Sequence, residues 1–422
     1  MLHNLTVNLA DLLFSVSEAM DLSDATLVDH QIRTAFVSSE LARAAMLDYG
    51  QNERLFVAAL LHDIGAMSPE EKIGAHIFED LCPGLHCQRG GKLFREAFWL
   101  EPSARIIDWH HTPMAEHREA DRSLSQGDVL ASQIIFLADH LERAIQRDTF
   151  ILHQTETLCA QMHDLIGHGV HADVIRLFDE VSATEEFWLE LVSNSLGRNL
   201  RERSLLRSID LDYEAARSIV SVFKDMTDFR SRFTATHSTG VAACAQGIGK
   251  VMAFTGKELQ QIDMAGLMHD IGKLVVPNSI LCKPTSLTAG EYAVMKQHPY
   301  YTYRVLSRIR GFEKIAEWAG LHHERNDGSG YCMRLYRAEL DLGAKIVAVA
   351  DVAAAISESR PYREFGDKTV VLNALFEMSS KGLLEPILVE ALADNYESIM
   401  TEVEGSQEAD KVRYLECYEM IV

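Results

Sequence analysis

Proline is scarce in this chain, 9 in 422 residues, and its apolar runs recur at helical rather than alternating spacing, which argues against a sheet protein. The 7 cysteines, at 82, 87, 159, 244, 282, 332 and 417, form no CxxC pair, so neither a zinc ribbon nor a disulfide framework is expected. No apolar run approaches the roughly 20 residues of a membrane span. No charged, apolar, small-residue leader precedes Leu5 to Phe14. Positive charge is also short: 40 Lys and Arg stand against 62 Asp and Glu, a net charge of -22. That balance disfavours polymeric nucleic acid and anionic membranes as partners, while leaving room for a small anionic substrate where cations gather locally. The expectation is a reduced, cytoplasmic protein with no membrane contact, whose input arrives in solution or through a homodimer mate or signalling partner.

What is present is helix-forming and apolar, 47% hydrophobic by count, in a chain long enough for two domains with cores of their own. The stretch that organises it is His269-Asp270-Ile271-Gly272-Lys273. The approach from Ile262 to Met268 is apolar at helical spacing and Gly272 offers a stop, so His269 and Asp270 are expected at the inner end of a buried helix. A bare carboxylate there would cost several kcal/mol and needs a metal, a cation or a hydrogen-bond network. His237 upstream and His298, His322, His323 and Asp351 downstream supply five imidazoles and two carboxylates with Asp270 and His269. Imidazole mixed with hard oxygen and no thiolate points to iron or manganese, and seven ligands exceed one ion, so two ions are expected.

The same set occurs earlier. His30 to His62 spans 32 residues, as does His237 to His269; His86 to His110 and His298 to His322 both span 24; His111 to Asp139 and His323 to Asp351 both span 28. Only Asp63 to His86 is shorter than its counterpart, by 5 residues, which a longer loop around Pro277 and Pro284 accommodates. Any one of these histidines alone would be an ordinary core or surface imidazole. Seven matching residue types in one order instead identify a duplication. An all-α protein follows, built of tandem helical domains over 1–200 and 201–422 and joined near Asn194 to Leu211 by a charged, connecting helix. His30, His62, Asp63, His86, His110, His111 and Asp139 are then a candidate second metal site.

His269 to Lys273, together with His322-His323-Glu324-Arg325-Asn326-Asp327-Gly328-Ser329-Gly330-Tyr331, resembles the HD-GYP family of cyclic dinucleotide phosphodiesterases, over about residues 214–400. The resemblance implies that His237, His269, Asp270, His298, His322, His323 and Asp351 bind metal, with Asp270 bridging two ions. It implies further that Lys273 and the Arg360-Pro361-Tyr362-Arg363 segment contact substrate phosphates, with Asp270 and Lys273 as the catalytic pair. Arg325 adds a forked donor suited to phosphate, and Gly330 with Tyr331 completes the expected substrate side. Cys332 stands where the family has proline, which predicts a looser loop. Phe233 occupies the place of a glutamate found in trinuclear members, which favours two metals.

The first copy keeps the ligands and lacks the rest: Ala66 replaces the lysine, and Thr112-Pro113-Met114 follows His111. After Asp139 come Glu142, Arg143 and Arg147, on what reads as an ordinary amphipathic helix. The expected function is metal-dependent hydrolysis of a cyclic dinucleotide, cyclic di-GMP first and 3',3'-cyclic GMP-AMP as the alternative, to the linear dinucleotide and in some members on to mononucleotide. The rivals are a nucleotide phosphohydrolase on the same fold and a non-catalytic dinucleotide receptor.

Overall fold

A computed structural model describes residues 5–22, 27–77, 83–120, 126–167, 169–231, 234–358 and 367–418. They are helical nearly throughout; the strands among them are the two-residue pieces Val7–Asn8 and Asp210–Leu211. The chain divides into two compact units. One is Asn8–Ala66 with Glu70–Ile209; the other is Asp210–Val422 with the short pieces Met1–Val7 and Met67–Pro69. The division therefore falls nine residues beyond the expected one at 200. The reason is local: the helix Leu196–Arg203, read from its charge as a connector, buries Leu196 and Leu200 and belongs to the first unit.

Each unit places its chemistry-bearing residues on corresponding elements. The first histidine opens a helix in both, His30–Ala44 and His237–Val251. The His-Asp pair follows the helices Tyr49–Leu60 and Gly256–Met268, which start on capping boxes, Asp48 with Gln51 and Thr255 with Glu258. The double histidines follow Ala104–Trp109 and Glu313–Gly320. Asp139 lies within Gln126–Ala144 and Asp351 within Leu342–Ser357. Leu342–Ser357 is apolar on nearly every side because it is packed on nearly every side, burying Ile346, Val347, Val349 and Ala350 around Asp351.

One local expectation needs correction. The helix before His269 ends at Met268 and passes into a tight 3-10 turn, Ile271–Val275, so Gly272 is not its stop. A Cβ on Gly272 would stand 2.0 Å from the His298 carbonyl oxygen, and one on Gly65 would stand 1.9 Å from that of His86. These glycines exist for close approach of two backbones. The capping box of Thr288 and Glu291 starts a short helix, Ala289–Met295, separate from the one that begins at His298. Helix Leu9–Asp21 buries Asp11, Ser15, Ser17 and Asp21 alongside Leu9, Leu12 and Leu13. Asp21 tolerates this by accepting the Gln31 N–H at 3.0 Å, and burial pushes its carboxyl up to about 7.

Gly272→Ala should lower stability by ~3 kcal/mol, the upper range for overpacking a closed contact, read as a shift in the urea midpoint. An unchanged midpoint would mean that the turn and the His298 helix separate without cost.

Candidate functional site

In the second unit, His237, His269, Asp270, His298, His322, His323 and Asp351 converge. Asp270 is the centre of the arrangement because its two oxygens face different neighbours. Oδ2 lies 3.3 Å from His269 Nε2 and 3.9 Å from His237 Nε2. Oδ1 lies 3.4 Å from His298 Nε2 and 3.9 Å from His322 Nε2. Asp351 closes both sides, with Oδ1 3.3 Å from His237 Nε2 and Oδ2 3.8 Å from His323 Nδ1.

The imidazoles are held from behind. His269 Nδ1 meets the Gly266 carbonyl at 2.8 Å, His298 Nδ1 that of Met295 at 2.8 Å, and His322 Nδ1 that of Ala319 at 2.6 Å. Each takes the carbonyl three residues earlier, where its helix is ending or beginning, and this turns Nε2 inward as a lone-pair donor. His237 uses a side chain instead, Glu358 Oε2 at 3.1 Å from Nδ1. Glu358 is fixed in turn by Gln407 Nε2 at 2.9 Å, from the long helix Tyr396–Tyr418.

Electrostatics prepare these groups unequally. Burial pushes the Asp270 carboxyl up, but His269 and Lys273 outweigh it and hold Asp270 well below the carboxylate range. Asp351 is depressed likewise, with the His237 hydrogen bond and His323 overcoming burial. Burial takes His298 down to about 4 and His322 to about 3, so both are neutral near pH 7. Burial acts the same way on His237, but Glu358 and Asp351 overcome it and raise His237 well above its ordinary value. Among the seven converging residues, the buried atoms His269 Nε2 and Asp270 Oδ1 have no hydrogen-bond partner. Unpartnered buried polar atoms inside a ring of inward imidazoles fit a metal centre, since leaving them bare costs free energy that an ion would recover.

Lys273 Nζ pairs directly with Asp270 Oδ2. Arg325 donates to the carbonyls of His322, at 3.4 Å, and Glu324, at 3.1 Å, instead of reaching outward. Tyr331 lays its ring on His323, centroids 4.8 Å apart, and its N–H donates to the His323 carbonyl. The loop beyond it is not loose at Cys332: buried Glu324 accepts the N–H groups of Met333, Arg334 and Leu335 at 2.7, 3.1 and 3.0 Å. Gly330 is needed there, since a Cβ would come within 2.5 Å of the Arg325 nitrogen. Beside the loop is a cleft of about 240 Å³ lined by Tyr292, Lys296, Gly328, Ser329, Gly330, Tyr331 and Arg334. Arg360, Arg363 and Phe233 lie outside the described residues.

Sequence reasoning missed four supports. Glu358 and Gln407 are single acidic or amide groups on unremarkable stretches, Glu358 just past the end of the Asp351 helix, and Glu324 lies inside the quoted motif without a role assigned to it. Arg230 was also missed. It donates to the Lys273 carbonyl at 2.6 Å and to Asn278 Oδ1 at 2.9 Å, tying down the turn that carries the lysine.

The first unit repeats the frame with other charges. Asp63 Oδ2 lies 3.3 Å from both His30 and His62 Nε2, and Oδ1 3.7 Å from His86 Nε2. Asp139 Oδ1 is 3.4 Å from His30 Nε2, and Oδ2 is 4.0 Å from His111 Nε2. His62 and His110 again use carbonyls three residues back, at 3.0 and 2.7 Å. The place of Lys273 on the central carboxylate is taken by neutral Gln31, whose Nε2 is 3.0 Å from Asp63 Oδ2. Glu142, Arg143 and Arg147 are not idle surface groups: Glu142 meets His30 Nδ1 at 2.6 Å, Arg147 meets Glu142 at 2.8 Å, and Arg143 meets Asp139 at 3.3 Å.

A helical bundle with a central His-Asp pair, outer histidines on neighbouring helices and a late aspartate defines the class of HD-type metal-binding domains. The chain belongs to it twice: the HD domain profile matches residues 27–144, and a second HD domain profile matches residues 221–384. It is 29% identical to 3'3'-cGAMP-specific phosphodiesterase 1 of Vibrio cholerae, over 92% of this chain and 92% of that protein. It is 35% identical to a cyclic di-GMP phosphodiesterase response regulator of Xanthomonas campestris, over 45% of this chain and 51% of that one. A solved cyclic GMP-AMP phosphodiesterase of V. cholerae shares the fold at TM-score 0.64 and 22% identity, covering 93% of this chain and 98% of that one. No described helix is long and apolar enough to cross a membrane.

Because His237 is raised well above its ordinary value while His298 and His322 are depressed, an ion must displace a proton from His237 and none from the other two. Metal affinity should therefore weaken as pH falls, about tenfold per pH unit for each displaced proton. Calorimetric titration of metal-free protein in buffers of different ionisation heat checks this; buffer-independent heats would show that no proton leaves.

Proposed function

We propose that the second unit hydrolyses a phosphodiester of a cyclic dinucleotide, giving the linear dinucleotide. The observation that carries this reading is the divided carboxylate of Asp270, one oxygen turned to His237 and His269 and the other to His298 and His322, with Lys273 on the same group. That division supports two ions. His237, His269 and Asp351 would hold one and His298, His322 and His323 the other, with Asp270 between them. The donor set of imidazole and carboxylate suits iron or manganese. When bound, such ions lower the pKa of a water towards neutrality and offset charge on the phosphoryl oxygens.

The chain's own residues supply the rest. Asp270 stays ionised, so it orients both imidazole sets and anchors the Lys273 ammonium. Lys273 presents a fixed positive charge beside the place where the phosphodiester would lie, stabilising the charge that develops on attack. The cleft beside Tyr331 offers aromatic faces from Tyr292 and Tyr331 and cations from Lys296 and Arg334, suited to one nucleoside and its phosphate. These local cations answer the net charge of -22, which would otherwise repel a dianionic substrate. Arg360 and Arg363 are proposed as a further phosphate contact.

As substrate we favour 3',3'-cyclic GMP-AMP over cyclic di-GMP. The relative named for the former spans both units, whereas the one named for the latter matches about half of the chain. The setting proposed is cytoplasmic, with the first unit as a non-catalytic companion because Gln31 and Ala66 leave its carboxylates without an ammonium.

Chromatographic assay of the metal-loaded protein with several cyclic dinucleotides should show turnover, fastest with 3',3'-cyclic GMP-AMP; binding without turnover would make the protein a receptor. Lys273→Ala should retain its metal and cost roughly 2.7 to 4 kcal/mol in the barrier, about two to three decades in rate. A variant as fast as the parent would remove the lysine from the chemistry.

His269→Ala with Asp270→Ala should abolish hydrolysis, while His62→Ala with Asp63→Ala should spare the chemical step and act on stability. A folded first-unit variant that keeps its second-unit metal and loses all turnover would place chemistry in the first unit.

A further inference from the structure

The centre of the first unit contains a group that its counterpart lacks. His86 and His110 face each other with Nε2 atoms 3.3 Å apart. Cys87 Sγ lies 3.7 Å from the first of these atoms and 3.9 Å from the second. Asp63 Oδ1 stands 3.7 Å from His86 Nε2, and Asp63, His86, His110 and His111 form one candidate metal group. Cys87 is 2% exposed, His86 7% and His110 0%. At the position after the corresponding histidine, His298, the second unit has Pro299, which offers no donor.

An ion bound at ~2.0–2.1 Å from nitrogen and ~2.3 Å from sulfur in a tetrahedral site requires its donors about 3.4 Å apart for two nitrogens and about 3.6 Å apart for nitrogen and sulfur. The three donors of the first unit stand close to those separations without an ion. His110 Nδ1 is already committed to the Ile107 carbonyl at 2.7 Å, so its Nε2 is the free lone pair. The Cys87 thiol is within hydrogen-bond reach of both imidazole nitrogens, so its sulfur faces the same centre they do.

We infer that Cys87 is a metal ligand in the first unit, alongside His86, His110 and Asp63, and that this centre selects a softer ion, zinc or a similarly thiophilic divalent cation, than the imidazole and carboxylate centre of the second unit. Binding exchanges the thiol proton for the ion: the S–H bond breaks, a sulfur–metal bond forms and the proton passes to solvent. A single chain then carries two metal populations sorted by ligand softness. The assignment is independent of the hydrolytic reading, because it concerns ligands in the other unit and needs no turnover.

The test uses the full chain, stripped of metal and titrated anaerobically with cobalt(II). The parent should develop a near-ultraviolet sulfur-to-cobalt charge-transfer band. Cys87→Ala and Cys87→Ser should lose that band, and Cys332→Ala should keep it. With zinc, the Cys87 variants should release the first-unit ion to a chelator at least about tenfold more readily than the parent. Zinc-edge X-ray absorption of the parent, which depends on no variant folding, should show a sulfur neighbour. A shell of nitrogen and oxygen only, a band that survives in both Cys87 variants, or one lost with Cys332→Ala instead, would overturn the assignment and leave Cys87 as a packed thiol.

Discussion

The second unit is built around one buried carboxylate that must satisfy two groups at once. Asp270 is 3% exposed and ionised, and its two oxygens address imidazoles that arrive from opposite sides. The turn Ile271–Val275 must pass close to the His298 helix, so Gly272 is required. Thr302 then bridges the two elements, donating to the His269 carbonyl at 2.8 Å and accepting the Gly272 N–H at 3.1 Å. Helix ends, rather than helix middles, carry most of the candidate ligands, and a carbonyl three residues back is available there to fix His269, His298 and His322.

The duplicated frame shows how little must change to alter what such a centre can do. Both units keep the central aspartate, imidazoles fixed by carbonyls three residues back, and the close-packed glycine. What differs is charge and softness around them. An ammonium rests on Asp270 where a neutral amide rests on Asp63. A proline follows His298 where a thiol follows His86. The carboxylate behind the first histidine comes from Glu358 in one unit and Glu142 in the other, seven and three residues past the late aspartate. The same physical need, a hydrogen-bond acceptor at Nδ1, is met from within the corresponding helix by Glu142 and from just past its end by Glu358.

The supports around the second centre extend outward in the same manner. Gln407 holds Glu358, which holds His237, so a residue on the terminal helix Tyr396–Tyr418 helps set the orientation of a candidate ligand. Arg230 holds the carbonyl of Lys273, and Glu324 gathers three backbone N–H groups of the loop after Tyr331. Each is a single polar side chain answering buried backbone or imidazole groups that would otherwise be unsatisfied.

The sequence by itself determined the helical class, the duplication and the two sets of seven candidate ligands, because histidines and aspartates at repeated intervals leave a pattern that survives any detail of packing. It also marked the asymmetry between Lys273 and Ala66. What only the tertiary structure decided were relations between residues distant along the chain: which oxygen of Asp270 faces which imidazole, and that Lys273 rests on that carboxylate. The same holds for Gln31 on Asp63, for Arg325 turned to backbone carbonyls, and for Cys87 beside His110. These contacts leave no periodic trace. They depend on where helices end and on how closely they pass, and both are set by the packing of whole surfaces rather than by any local run of residues.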